Sequence, residues 1–473
     1  MSHETSALPV AAIILAAGKS TRMKSKTPKP LHHVCGIPMT QHIIGACREA
    51  GVARIVVVVG HEAERVKKGL GDEVEYALQS NPKGTGDAVR SAESLLKDWQ
   101  GSILVLAGDV PLLPAENLRS LIAHHQATDA AMTLMTMEMK NPFGYGRIAR
   151  DEAGRVLRIV EQKDANTQEQ ALTECNPSLY AFKGSALWDS LTKITPKNAQ
   201  GEYYFTDTLQ ILNEQSAKIE ALTGVDPQNV LGVNSRVELA EVTTILRQRI
   251  LYRLMLAGVT LIDPASTYIE ANVQIGQDTV IEPNVYLFGD TVIGEDCVIG
   301  SLSRIQSSKI GDRVKIYASQ IDQSVLEDDV KVGPFANLRP KTHLCQHVKI
   351  GDFVEVKNAK FGVKAQASHL SYIGDAEIGA GTNIGGGTIT CNFDGFDKHK
   401  TVIGENCFIG SNSTLIAPIT IGSEALVAAG SAVAQSVGSG DMVIARSLPT
   451  VKEGWAAKRR AKKHAEKAAK IAL

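Results

Sequence analysis

The chain has 473 residues, 44% of them hydrophobic, and a formal net charge of −1 at pH 7. That length asks for two or three domains, and the balanced charge excludes a global pull toward nucleic acid or a membrane surface. Its seven cysteines are scattered without a CxxC pair, which favours free thiols in a reducing compartment over disulfides or zinc.

The chain starts polar, and the apolar run Val10–Ala17 is too short to span a bilayer and lacks a basic leader. A soluble, cytoplasmic protein is expected. Val10–Ala16, Arg54–Val59 and Ser102–Ala107 read as strands, with helical patterns at Pro38–Ala50 and Asp87–Lys97 between them. Such alternation predicts an α/β doubly wound, Rossmann-like domain with its ligand at the carboxyl ends of the strands.

The first strand ends in Leu15-Ala16-Ala17-Gly18-Lys19-Ser20-Thr21-Arg22-Met23, and Lys29 follows between Pro28 and Pro30. Small residues let the backbone approach a phosphate or base, and Arg22 and Lys29 bring positive charge to it. The pattern is neither a GxGxxG turn nor a Walker loop, so neither NAD nor a P-loop NTPase is indicated. Asp109 closes the third strand, where a carboxylate suits Mg²⁺ on a triphosphate.

Leu239, Val242, Leu246, Ile250 and Leu254 recur every three or four residues, which predicts a helix from Ser235 to Ala257, stopped by Gly258. Ser235 and Glu238 form a capping box, which frees Asn234 for other work. Arg247, Arg249 and Arg253 read as a solvated face, and the helix as a spacer.

Beyond it the chain counts in sixes. Ile275, Ile281, Leu287, Ile293, Ile299 and Ile305 are followed by Val332, Leu338, Leu344, Ile350 and Val356. Ile403, Ile409, Leu415, Ile421, Val427 and Val433 resume the count. A strict six fits no helix; it fits coils of short strands, a parallel β-helix built on hexapeptides.

Polar residues gather where the count breaks: Arg339, Lys341, Lys357, Lys360, the run Ala367–Asp375, Asn383, and a loop from Gly385 through Asn392, Phe393 and Lys398. His369 stands among them as a neutral imidazole suited to deprotonating an amine. Cys391 reads as a free loop thiol rather than an acyl nucleophile. The other eleven histidines, including His32-His33 and His124-His125, lack metal-ligand spacing. The tail, Lys452–Leu473, is Ala- and Lys-rich and reads as a cationic surface helix or frayed end, or as a contact for phosphates.

The motif L-A-A-G-x-x-T-R-M with P-K-P-L resembles the sugar-nucleotide pyrophosphorylases. Gln79 with Gly84-Thr85-Gly86, Ala107-Gly108-Asp109, Gly144-Tyr145-Gly146-Arg147, Glu161, Asn176, Gly201-Glu202-Tyr203-Tyr204 and Gly232-Val233-Asn234 follow in that family's order. The second half resembles the hexapeptide-repeat acyltransferases. Together they resemble a family of bifunctional enzymes that acetylate glucosamine-1-phosphate and then uridylylate N-acetylglucosamine-1-phosphate.

The resemblance implies four segments: 1–235, a uridylyltransferase domain; 236–258, a linker helix; 259–447, a left-handed β-helix acetyltransferase domain; and 448–473, a basic tail. It also implies a homotrimer that takes UTP, acetyl-CoA and the two sugar phosphates, with Mg²⁺ on Asp109 and Asn234. Leu15, Ala16, Ala17, Gly18, Lys29, Gln79, Gly84, Thr85, Gly146, Glu161, Asn176 and Asn234 would bind UTP and the N-acetyl sugar nucleotide, and Arg22 and Lys29 would catalyse. Arg339, Lys357, Tyr372 and Asn383 would hold glucosamine-1-phosphate. His369 would be the base, Glu355 would orient it, and the Gly386 N–H would meet the oxyanion. Gly386, Asn392, Phe393, Ser411, Ala429 and Arg446 would meet acetyl-CoA.

Four positions depart from the family's pattern: Pro177-Ser178 stands for Thr-Gly, Gly386 for Ala and Phe393 for Tyr. Two other readings remain open. One is a nucleotidyltransferase whose solenoid is only a scaffold, and the other is a non-enzymatic nucleotide–sugar sensor.

Overall fold

The computed structural model describes residues 8–19 and 21–471; Met1–Ala7 of the polar start, Ser20 of the first loop and the last two tail residues lie outside the described residues. The chain divides into two compact units. One comprises Met1–Arg253 with Ile269–Asn272, and the other Leu254–Tyr268 with Val273–Leu473.

The first unit is organised by seven strands: β1 (Val10–Leu15), β2 (Arg54–Val59), β3 (Glu75–Leu78), β4 (Ser102–Ala107), β5 (Met132–Met135), β6 (Leu179–Lys183) and β7 (Ile219–Leu222). They lie in the order β7-β5-β6-β4-β1-β2-β3. β6 runs antiparallel to both neighbours, and the other pairings are parallel.

Alternate residues of the central strands feed two cores. Ala12, Ile14, Val57, Val59, Leu104 and Leu106 pack on one face, and Ala11, Ile13, Val56, Val58, Ile103 and Val105 on the other. Burial on both faces is why these strands read as unbroken aliphatic runs. A smaller sheet of Met137–Glu138, Gly146–Arg150, Val156–Val160 and Glu174–Asn176 accompanies the first.

Two elements differ from expectation. Asp87–Lys97 is not one helix; Thr85–Arg90 and Glu93–Leu96 are separate short helices, each ending in a tight turn. The helix after Ser235 spans Arg236–Leu256, but Arg249 is not on a solvated face. Its guanidinium donates to the Leu112 carbonyl at 2.9 Å and to Asn229 Oδ1 at 2.8 Å, and burial lowers its pKa. Val242 packs with Met23, Val34, Met39, Leu112 and Val233 in a third cluster, so the start of this helix belongs to the first unit's core.

The second unit is a parallel β-helix. Its strands, two to four residues long with two of seven, stack in an 11-stranded and a 17-stranded sheet, each strand bonded to its counterpart on the next coil. The inward positions are those counted in sixes: Ile275 is half-buried, and all the others are buried. Shortened coils explain the break after Ile305. Ile293 pairs with Ile310 and Ile310 with Leu326, one or two residues short of a full eighteen. Shortened coils also break the count after Val356, where Leu344 pairs with Phe361 and Phe361 with Ile378, each seventeen residues on; the loop between Ile378 and its partner Ile403 follows.

Buried hydroxyls seal the corners. Thr291, Thr342, Thr388 and Ser413 donate to the carbonyls three residues back, at 2.6–2.7 Å. The turns need the left-handed region, and residues such as Asp278, Asn284, Asp296 and Asn412 supply it at φ 55–59°, where short polar side chains pay less than bulky ones. The described part of the tail forms the helix Trp455–Ile471, with Arg459 over the Trp455 ring at 5.0 Å. No helix among the described residues is long and apolar enough to cross a membrane.

Candidate active sites

In the first unit, β1 and β4 end side by side. The Gly108 N–H donates to the Leu15 carbonyl at 2.9 Å, and a Cβ at Gly108 would lie 2.4 Å from that oxygen. Glycine there lets the two strand ends close up, and the chain then splays into a cavity of about 380 Å³. Leu15, Ala16, Ala17, Gly18, Lys29, Gln79, Gly84, Thr85, Asp109 and Glu161 line it. Most of the first-unit residues expected from sequence are therefore brought together at the carboxyl edge of the sheet.

Lys29 opens a short 3-10 turn held by Pro28 and Pro30. Its ammonium lies 2.5 Å from Asp109 Oδ2 and 2.8 Å from Asn234 Oδ1, and an Arg22 nitrogen donates to Asn234 Oδ1 at 2.9 Å. Asn234 is free to do this because Glu238 caps the following helix. Its carboxylate accepts the Asn234 and Ser235 N–H groups at 2.7 and 2.6 Å.

Gln79 Nε2 donates to the Gly84 carbonyl at 3.2 Å and to Asp87 at 2.8 Å. Gly84 sits at φ +116°, and a Cβ there would meet the Tyr203 carbonyl oxygen at 2.5 Å, so this loop requires glycine. Burial raises the pKa of Glu161, which accepts the Thr206 hydroxyl at 3.0 Å. Asn176 is buried; its amide donates to the Tyr180 hydroxyl at 2.6 Å, and its oxygen accepts the Ser178 N–H at 3.0 Å. Gly146 pairs with Asn176 across the strands. Ser178 adopts φ +61°, the conformation that the family's glycine enters without strain. Tyr180 and Glu202 also line the cavity; no spacing signal marks Tyr180, and Glu202 stood in the Gly201–Tyr204 motif without a role of its own.

In the second unit the expected partner of His369 is corrected. His369 Nδ1 lies 2.7 Å from Asp352 Oδ1, whereas Glu355 holds Arg339 at 2.8 Å. The reason is the coil register. Asp352 pairs directly with His369 on the next coil, and Glu355 pairs with Tyr372. A carboxylate on Nδ1 leaves Nε2 open. Gly386 backs this histidine: a Cβ there would be 3.2 Å from the His369 Cβ.

Asn337, Glu355 and Tyr372 follow one another up one wall; Arg339 and Lys357, each two residues further along, lie beside that column. The neighbouring Lys398 ammonium pulls the Lys357 pKa down. Two lysines held together mark a place for an anion; Lys398 was visible in the loop but had no assigned role. Asn383 lies on another wall, paired with Gln366.

Ser411, Ala429 and Arg446 fall on successive turns of one corner above Gly386. The Asn412 N–H donates to Gly386, the Gly430 N–H to Ser411, and Arg446 to the Ala429 carbonyl. Asn392 is held apart from that column. It is buried, its amide donates to Asp375, and it lies 3.4 Å from the Tyr372 hydroxyl. Phe393 is exposed. All seven cysteines, including Cys391, are free.

An α/β unit with basic and acidic groups at its strand ends, together with a β-helix carrying a histidine–carboxylate pair, defines a two-site transferase. The Nucleotidyl transferase family model matches residues 11–226, the model for the GMPPB C-terminal domain residues 263–362, and the Hexapeptide repeat of succinyl-transferase model residues 400–435. The chain is 48% identical over 444 residues to the bifunctional protein GlmU of Geobacillus sp. (strain WCH70), covering 94% of this chain and 97% of that one. Against GlmU of Trichlorobacter lovleyi it is 48% identical over 453 residues, covering 95% and 98%. Against that of Clostridioides difficile (strain 630) it is 47% identical over 451 residues, again covering 95% and 98%.

The chain belongs to the family of the bifunctional protein GlmU. It is an enzyme with nucleotidyltransferase and acetyltransferase activities.

Proposed function

We propose that the β-helix transfers acetyl from acetyl-CoA to glucosamine-1-phosphate, and that the first unit then converts UTP and N-acetylglucosamine-1-phosphate to UDP-N-acetylglucosamine and pyrophosphate. The observation that carries this reading is the pairing of two constellations in one chain: Lys29 with Asp109 and Asn234, and His369 with Asp352.

In acetyl transfer, His369 takes a proton from the sugar ammonium, and the freed amine attacks the thioester carbonyl. Asp352 holds the imidazole through Nδ1 and leaves Nε2 facing the substrate. The Gly386 N–H donates to the oxyanion; the ammonium proton passes from His369 to solvent, the imidazole then takes the second proton from the attacking nitrogen, and as the oxyanion collapses the departing coenzyme A thiolate receives that proton from His369. Lys357 and Lys398 take the sugar phosphate, and Arg339, held by Glu355, adds charge to the same wall. Ser411, Ala429 and Arg446 seat the coenzyme. The exposed His369 against open solvent supports a site completed in a homotrimer by a neighbouring copy.

Uridylyl transfer needs no general base, because its nucleophile is a phosphate oxygen. That oxygen attacks the α-phosphorus of UTP, and the bond to pyrophosphate breaks. Arg22 and Lys29 offset the repulsion between anions and stabilise the leaving group. Asp109 and Asn234 fit a hard cation, since their oxygens already converge on one positive group, the Lys29 ammonium. Mg²⁺ bound by these two residues would add charge neutralisation of the triphosphate. Gln79 and Gly84 suit the uracil edge, and Glu161 the sugar.

The segments 1–235, 236–258, 259–447 and 448–473 then serve as uridylyltransferase, connecting helix, acetyltransferase and tail. The reactants belong to the cytoplasm, and the product suits cell-envelope polysaccharide. Incubation of the full chain with glucosamine-1-phosphate, acetyl-CoA, UTP and Mg²⁺ should give UDP-N-acetylglucosamine by mass spectrometry, and omission of acetyl-CoA should abolish it. A uridylylated glucosamine of equal yield without acetyl-CoA would overturn the order of the steps.

A further inference from the structure

Three metal-ligating side chains meet on the β-helix apart from the residues given roles above. Val325 and Leu326 pair with His343 and Leu344, so Glu327 and Cys345, the next residues of each strand, stack on successive coils. Adjacent strands lie about 4.8 Å apart. His343, two residues before Cys345, places Nε2 2.8 Å from Glu327 Oε1. The Gln346 N–H donates to the other carboxylate oxygen at 3.1 Å. One donor atom from each of Glu327, His343 and Cys345 lies within 4.8 Å of the other two. Cys345 is buried, and the other two are half-buried.

We propose that Glu327, His343 and Cys345 form a three-donor site for a borderline-soft divalent cation of the Zn²⁺ class. Thiolate, imidazole and carboxylate are the donors that Zn²⁺ takes, at about 2.0–2.3 Å. Donor atoms around such an ion lie roughly 3–4 Å apart, so the side chains need shift by only about 1 Å. On binding, the Cys345 thiol gives its proton to solvent and His343 coordinates as the neutral ring. One thiolate and one carboxylate then balance the charge of the dication.

The Gln346 N–H keeps the Glu327 carboxylate turned toward the site, as supporting hydrogen bonds do for metal ligands. A sulfur and an imidazole donor disfavour Mg²⁺, which demands oxygen donors. The site therefore differs in metal preference from the Asp109–Asn234 pair. Bound metal would tie one coil to the next. Sequence spacing does not reveal it, because Glu327 comes from the preceding coil; the reading that histidines other than His369 lack ligand spacing holds along the chain and fails across it.

The test is titration of the chelator-stripped full chain with Co²⁺ alone, followed by its thiolate-to-cobalt charge-transfer absorption. One equivalent should saturate the band, and Zn²⁺ should bleach it. Cys345→Ser should abolish it, and Glu327→Gln and His343→Ala should each weaken Co²⁺ binding at least tenfold while keeping the wild-type circular dichroism and pyrophosphate release. No band in the wild type, or an equal band in a folded Cys345→Ser protein, would overturn the proposal. If Cys345→Ser does not fold, binding in Glu327→Gln as tight as in wild type has the same force.

Discussion

The Lys29 ammonium lies 2.5 Å from Asp109 Oδ2 and 2.8 Å from Asn234 Oδ1, between the two oxygens proposed to hold a cation. The lysine and the metal therefore compete for one carboxylate until nucleotide phosphates offer the ammonium another partner. Lys29→Ala should tighten Mn²⁺ binding to the nucleotide-free protein by about tenfold, or about 1.4 kcal/mol. The same change should slow uridylyl transfer by about 10²–10³-fold, the cost of losing one donor to developing charge. Electron paramagnetic resonance of free Mn²⁺ reads the first effect; unchanged or weaker binding would refute the competition.

Asp352 has the geometry to set the tautomer of His369. Asp352→Asn should lower acetyl-transfer kcat by about 10–100-fold and alter its pH profile, while the acetyl-CoA KM stays near its original value. Glu355→Gln should act differently. It loosens Arg339, so its main effect should be a higher KM for glucosamine-1-phosphate. Steady-state kinetics of both variants across pH separates the two roles.

Lys398 lies beside Lys357 and lowers its pKa, a repulsion that an incoming phosphate would relieve. Lys398→Ala should raise the glucosamine-1-phosphate KM about tenfold, an effect in the range of one charge-assisted hydrogen bond, with kcat little changed. A fall in kcat at constant KM would place Lys398 in the chemistry instead.

His125 is buried in the first unit with Nδ1 2.9 Å from the Thr133 hydroxyl, and burial pushes its pKa down to about 4. An unfolded histidine takes its proton near pH 6.5. Between those values the unfolded chain binds more protons than the folded one, so stability falls as pH falls through that window, by roughly 2–3 kcal/mol. His125→Asn, which can keep a bond to Thr133, should flatten the melting temperature of the first unit between pH 6.5 and 4. An unchanged slope would show that other groups govern it.

Much of the fold was legible in sequence because it is periodic. The count of six named the inward residues of the β-helix, with Ile275 alone only half-buried. The aliphatic runs marked β1, β2 and β4, since both faces of that sheet are buried. The site at the strand ends was legible for the same reason, as Gly108 and Asp109 must follow a strand. What sequence did not give was pairing between coils. Asp352 is seventeen residues from His369, and only the stacking makes them neighbours. Shortened coils hide that offset from a strict six. Arg249 was misread because helix periodicity fixes a face, not what covers it.

The most direct test is a paired assay on wild type, Lys29→Ala and His369→Ala. One arm follows free thiol from acetyl-CoA and glucosamine-1-phosphate, and the other follows pyrophosphate from UTP, Mg²⁺ and N-acetylglucosamine-1-phosphate. Wild type should run both reactions; Lys29→Ala should lose pyrophosphate release alone, and His369→Ala should lose thiol release alone by about 10²–10⁴-fold. Loss of both activities in either folded variant, or a wild type that never releases thiol, would contradict two separate chemistries in one chain.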